Sequence, residues 1–310
     1  MKTPNLISVF VMVVMVMLVS AQPAGAQTAP QEASEGDRVA PPPRPFTVMS
    51  FNIRFGGAMD PPSVWVDRRE RLLATVKAYD PDILGVQEAI LGQVKYLRDE
   101  MTGHVFFGAG RDNGKLAGEM CAIYYKRDRF LRIGGGHFWL SEKPDEPGSF
   151  GWDAAYPRMV SWLRLRDKTD DSTLFVANTH FDHQGDKARL NSARMIRERL
   201  PELAQQGDAV VILGDFNCDE DSEPYHALMN DEHGAVLGLI DTFREAHPER
   251  TDQEATFHAF QGKTQGSRID WILHGPDLQT LAAEIDTTHE GLKYPSDHFP
   301  VTATLQKTSP

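Results

Sequence analysis

Cysteine is nearly absent from this 310-residue chain, with only Cys121 and Cys218 present. At most one disulfide is available, and two lone thiols are the simpler reading, because sequence alone cannot bring the pair within bonding distance. Neither cysteine follows the N-terminal apolar run, which argues against a lipoprotein anchor. Basic charge is also in deficit. Lys and Arg number 32 against 44 Asp and Glu, a formal charge of −12. That balance argues against a basic platform for tight duplex binding. It leaves open a nuclease that touches few phosphates, and it suits acids gathered around a metal. Long apolar runs are missing too. The run from Leu6 to Val19 is short of the ~20 residues a membrane span needs. No internal repeat and no second linker interrupt the chain.

What is present begins with a leader. Lys2, the apolar run and the small residues Ala24-Gly25-Ala26 have the layout of a secretory signal peptide cut before Gln27. Residues 1–26 are therefore expected to be removed and the protein exported to the periplasm or beyond, with no membrane anchor left behind. Residues 27–44, rich in Pro, Ala, Ser and charge, read as a disordered linker. Residues 45–310 then form one large α/β domain.

The segment "PFTVMSFNIRF" reads as a strand ending near Asn52. Asp67 and Glu70 have capping-box spacing, and Leu72, Leu73, Val76 and Tyr79 share one helical face. Pro81 stops that helix, and "DILGVQ" delivers Glu88 at the end of a second strand. If the two strands are parallel and joined by the crossover helix, Asn52 and Glu88 share one sheet edge. Residues 119–126, 158–166 and 172–181 read as further strands. A helix with Leu190, Ala193, Ile196 and Leu200 on one stripe follows, then the strands "DAVVILGDFN", "RIDWILH" and "FPVTATL". A βαβ start followed by antiparallel pieces favours two mixed sheets covered by helices.

Polar side chains recur where apolar runs close: Asn52, Glu88, His180, Asp215 and Asn217. Asp270 interrupts "SRIDWIL", and Asp297 and His298 precede the last strand. Any one alone is an ordinary loop or cap residue. Ends of sheet strands are also where α/β folds bind ligands. In order, "SFNIR", "GVQE", "NTHFDH", "ILGDFN", "SRIDWI" and "SDHFPV" resemble the endonuclease/exonuclease/phosphatase superfamily, the deoxyribonuclease I-like phosphoesterases, over about residues 46–306. The resemblance implies a four-layer α/β sandwich, two mixed β-sheets packed face to face with helices outside.

It also implies roles. Glu88 matches the family's metal ligand, with Asn52 as an amide ligand or its support, and Asp297 completes the site or serves a second ion. Oxygen ligands suit Mg²⁺, with Mn²⁺ an acceptable substitute. Asp215 would stand beside the attacking water, and Asn217 would donate to a phosphoryl oxygen. His180 and His298 would donate to phosphate or shuttle a proton. Asp270 matches the partner of the last histidine, and Glu119 would orient His180. Arg158 lies where related enzymes contact phosphate. His183 reads as loop surface, Trp271 as core, and Trp152 and Tyr156 as members of a substrate loop. Nothing around Cys218 argues for a lowered thiol pKa.

The expected protein is an exported, metal-dependent phosphoesterase, monomeric, acting on a small-molecule, lipid-headgroup or nucleotide ester without a stable nucleic-acid complex. A secreted nuclease is the alternative. A binding module that lost catalysis is a third reading.

Overall fold

In a computed structural model of the chain, residues 43–230 and 237–308 are described. The leader and residues 27–42 of the expected linker lie outside them. Pro43 and Arg44 are described, and their carbonyls accept hydrogen bonds from Gln306 (2.8 Å) and Arg129 (2.9 Å).

The elements in order are β1 (Phe46–Asn52), α1 (Trp65–Tyr79), β2 (Ile83–Ala89), α2 (Leu91–Glu100), β3 (His104–Phe107), β4 (Met120–Lys126), β5 (Phe130–Trp139), β6 (Met159–Asp167), β7 (Thr173–His180), α3 (Asp186–Leu203), β8 (Asp208–Asp215), α4 (Glu223–Met229), β9 (Ile240–Asp241), α5 (Thr242–Ala246), β10 (Asp270–His274), β11 (Leu278–Ile285) and β12 (Val301–Lys307). They build two six-stranded sheets, ordered β11-β12-β1-β2-β4-β3 and β5-β6-β7-β8-β10-β9. Each sheet has one parallel pair at its centre, β1 with β2 and β7 with β8. The crossovers are α1 and α3. All other strand pairs are antiparallel.

Side chains alternate across each strand, so each sheet has two faces to bury. Val48, Ile83, Ile123, Val176, Val211 and Ile272 meet in one core between the sheets. On the outer face of the first sheet, Met49, Leu84, Val86 and Ala122 pack against Leu72, Leu73, Val76 and Leu97 of the helices. On the outer face of the second, Phe175, Ala177 and Ile212 pack against Ala193, Ile196 and Leu200. Three apolar layers separate four layers of structure, which is the expected sandwich. Gly85 marks how closely the sheets approach, since a Cβ there would lie 2.0 Å from Leu213 Cδ1.

Helix α1 starts earlier than its sequence suggests. Val64 occupies the cap position and Asp67 lies inside the first turn, where its charge favours the helix N-terminus. Strand β5 gave no strand signal because its centre is Gly134-Gly135-Gly136. Pairing with β6 supplies what propensity does not, and the Trp162 ring lies over Gly136.

Candidate active site

Along the four central strands, the positions facing the other sheet turn from apolar to polar toward one edge. On β1 they run Val48, Ser50, Asn52; on β2 Ile83, Gly85, Gln87; on β7 Val176, Asn178, His180; on β8 Val211, Leu213, Asp215. The sheets are locked below this edge by amides. Gln87 Nε2 donates to Asn178 Oδ1 at 2.7 Å, and Asn178 Nδ2 donates to the carbonyls of Val86 (3.0 Å) and Ala122 (2.8 Å). All are buried. Strand pairing then sets the site. Asp215 lies opposite His180 on β7 and opposite Asp270 on β10.

Asn52 ties the two sheets together at the edge. Its Nδ2 donates to Glu88 Oε1 at 3.0 Å and to Asp215 Oδ2 at 2.8 Å. Its Oδ1 accepts from the Arg54 backbone at 3.0 Å, and Glu88 Oε2 accepts from the Phe55 backbone at 2.6 Å. Arg54, Glu88 and Asn217 all adopt left-handed backbone (φ 55°, 61° and 50°). Such conformations cost free energy for residues with a Cβ and persist where the surroundings enforce them. Arg68 of α1 does much of that enforcing. Its buried guanidinium donates to the carbonyls of Ile53 (2.7 Å), Arg54 (2.9 Å), Ser63 (3.1 Å) and Pro295 (3.1 Å). It thereby joins the loop after Asn52 to the loop that carries Asp297. Ser296 adds a hydrogen bond to the Asn52 carbonyl at 2.7 Å. Asp297 lies 3.5 Å from Arg54 Nε.

His298 donates through Nδ1 to Asp270 Oδ2 at 2.9 Å, and its Nε2 lies 3.8 Å from Asp215 Oδ2. Burial opposes charge on this ring, but the carboxylates of Asp270 and Asp215 outweigh it and push the imidazole up to about 10. His180 is the reverse case. Burial, then the nearby Arg158 and Arg111 guanidiniums, hold it well below an ordinary histidine, so it is neutral. Its Nε2 lies 3.4 Å from Asp215 Oδ2. Asp215 is raised by burial and by the Asp270 charge. Asn217 uses Nδ2 on the Phe181 carbonyl at 3.1 Å, and its backbone N–H donates to Asp215 Oδ1 at 3.0 Å.

Glu88, His180, Asp215, Asn217, Asp297 and His298 line a cavity of about 610 Å³ together with Arg54, Phe55, Arg111, Glu119, Tyr156, Arg158, His183 and Phe257, and Asn52 and Asp270 stand behind it. Glu119 takes a different partner from the one expected. Its oxygens meet Arg111 Nη1 (2.8 Å) and Nη2 (2.9 Å), whereas His180 stands beside Asp215. The Arg111 side chain, unmarked in the sequence, outcompetes it. Arg158 donates from Nε to the buried Asp182 (3.2 Å) and from Nη2 to His183 Nδ1 (3.0 Å). His183 is exposed in a loop, as read, and it also lines the cavity, with its ring stacked on Tyr156. Asp182 also accepts from the backbones of Ala155, Gln184 and Gly185. Burial opposes its charge, yet those N–H groups and Arg158 lower it to about 2. Arg54, Arg111 and Asp182 were missed as site residues. Arg54 and Asp182 lie inside the segments "SFNIR" and "NTHFDH", but Arg111 sits in a loop with no local signal. Trp271 is core, stacked on Phe216 at 4.4 Å. Cys121 and Cys218 are unpaired, and burial pushes both thiols up to about 12.

A hard divalent cation fits the Glu88 side of the cavity. The oxygens there are those of Glu88 and Asp297, and Asn52 supports Glu88 through Nδ2. Burial, and secondarily the Glu88 charge, raises the Asp297 carboxyl, and a cation between the two would relieve that repulsion. A second group, Asp215, Asp270 and His298, has one ligand atom of each within 4.8 Å of the others. There the imidazole Nδ1 and Asp270 are already bonded to each other.

Fold and site together define a two-sheet sandwich with acids, amides and imidazoles gathered at the strand ends. The Endonuclease/Exonuclease/phosphatase family profile matches residues 49–298, and the chain belongs to that family. A crystal structure of a family protein from Bacteroides thetaiotaomicron is 33% identical over 86% of this chain and 99% of its own, with a TM-score of 0.79. A mannosyl-6-phosphatase from the same organism is 34% identical over 84% of this chain and 99% of that one, with a TM-score of 0.77. A curated, uncharacterized protein of Acanthamoeba polyphaga mimivirus is 23% identical over 163 residues. The match spans 50% of this chain and 60% of that relative.

Proposed function

We propose that the protein is a divalent-metal-dependent phosphoesterase that hydrolyses a small phosphate ester by direct water attack. The observation that carries this reading is convergence. Asn52, Glu88, Asp215 and His298 come from four chain segments and line or border one cavity. Mg²⁺ or Mn²⁺ held by Glu88, with Asn52 and Asp297 beside it, would neutralise charge on the phosphoryl oxygens.

The chain's own groups do the rest. Asp215 orients a water and takes its proton as the water oxygen bonds to phosphorus. The bond to the leaving oxygen breaks in the same in-line displacement, and that oxygen takes a proton from solvent. His298, kept charged by Asp270, donates to a phosphoryl oxygen. His180, neutral, and the second N–H of Asn217 donate to the others. No group of the protein bonds to phosphorus.

The cavity volume suits a small molecule, and the acidic balance of the chain disfavours long duplex DNA. The mannosyl-6-phosphatase relative supports a sugar phosphate as the first substrate class to try. The reading includes an exported monomer matured after Ala26, on the strength of the leader pattern. A panel of sugar phosphates, nucleotides, phospholipids and oligonucleotides, each with Mg²⁺ and with Mn²⁺, tests it. Metal-dependent release of phosphate from a small ester is expected. Turnover confined to nucleic acid would replace this reading with the nuclease.

A further inference from the structure

Arg111 and Arg158 also line the cavity, and the proposed hydrolysis uses neither. Arg111 is fixed in place at its backbone. Its N–H donates to the Glu119 carbonyl at 2.9 Å, and its own carbonyl accepts from Trp139 Nε1 at 2.6 Å. Its guanidinium meets Glu119 through Nη1 and Nη2 and lies 5.3 Å from the centre of the Tyr156 ring. A guanidinium carries five N–H donors, so donors remain after Glu119. Arg158 is the second cation, held by Asp182 and His183, and its Nη1 is buried with no hydrogen-bond partner. The two guanidiniums repel each other, and both disfavour a charged His180. Each guanidinium already faces one carboxylate, Glu119 or Asp182, and a dianion between the two would offset the repulsion that remains.

We infer that Arg111 and Arg158 form a paired guanidinium clamp that selects the dianionic phosphate of a monoester over the monoanionic phosphate of a diester, with Arg111 as the discriminating residue. The inference rests on the proposed hydrolysis and narrows its substrate class. A phosphate monoester carries a charge near −2 at neutral pH. Guanidinium forks match phosphate oxygens in geometry as well as charge. A diester replaces one of those oxygens with a second ester link, which removes a charge and an acceptor. Asp182 ties Arg158 to the Tyr156 backbone, and His183 Nδ1 meets Arg158 Nη2.

The test compares 4-nitrophenyl phosphate with methyl 4-nitrophenyl phosphate in the parent protein and in Arg111→Met. The double variant Arg111→Met/Glu119→Gln is included because it leaves no half-buried carboxylate without its partner. Both variants should lose about 10- to 100-fold in kcat/KM on the monoester. The diester should change by less than about threefold, a surface-residue-sized effect. Binding of inorganic phosphate to the Mg²⁺-loaded protein, read by calorimetry, should weaken in parallel. Equal losses on both esters, or unchanged phosphate binding in the double variant, would overturn the clamp and leave hydrolysis standing. A parent protein inactive on both esters whose phosphate binding still depends on Arg111 would keep the clamp and remove the hydrolysis.

Discussion

His298 owes its chemistry to two carboxylates from other strands. Asp270 arrives on β10 and Asp215 on β8, and together they hold the ring charged despite its burial. A histidine whose folded pKa lies above its unfolded value adds stability below about pH 6.5, and that contribution fades as pH rises through the folded value. Asp270→Asn removes the nearer charge, so the ring must titrate at lower pH. The alkaline limb of kcat/KM should move toward neutrality, and the imidazole proton resonances should titrate with it. A variant with an unmoved alkaline limb would remove His298 from the proton inventory. The sequence showed Asp270 and His298 because each stands against an apolar run. It did not show Arg111 or the true partner of Glu119. Those contacts join a loop residue to the residue just before β4, through backbone and side chain, and no local pattern encodes them.

Helix α1 does more than cross from β1 to β2. Its apolar stripe was legible, and so was the stop at Pro81. The role of Arg68 was not, since an arginine in "VDRRERLL" reads as solvated surface until its four carbonyl partners are seen. Arg68→Met keeps the stem and removes the donors. Leaving those carbonyls unpaired should cost about 3 kcal/mol of unfolding free energy, measured by urea denaturation. Mg²⁺ affinity should fall as well, because Arg68 joins the loops that carry Asn52 and Asp297. Two of the missed strands have a common cause. Strand β5 is broken by three glycines, and "LQTLAAEI" of β11 has helix-favouring composition. Both become strands by pairing at a sheet edge, β5 on β6 and β11 on β12. That is tertiary context overriding local preference.

At the scale of the molecule, the two sheets meet face to face, and their inward rows end together in polar groups. The parallel pair β1/β2 was legible because its βαβ unit ends each buried run in a ligand-type side chain, whereas β7/β8 is also parallel, where antiparallel pieces were expected after the first βαβ unit. Which sheet faced which was not legible, because Gly85 against Leu213 and Gln87 against Asn178 are contacts between strands far apart in the chain. The central claim is that Glu88 on the first sheet and Asp215 on the second serve one phosphoryl group around one cation. Calorimetric Mg²⁺ titration alongside turnover of a phosphate ester tests it directly, in the parent, Glu88→Gln and Asp215→Asn. Glu88→Gln should weaken Mg²⁺ binding and lower turnover together, by a factor of about 100 or more in kcat/KM. Asp215→Asn should lower turnover by about 100-fold or more while Mg²⁺ still binds. Turnover in the parent that survives removal of all divalent metal, or Glu88→Gln that binds Mg²⁺ as the parent does, would contradict it.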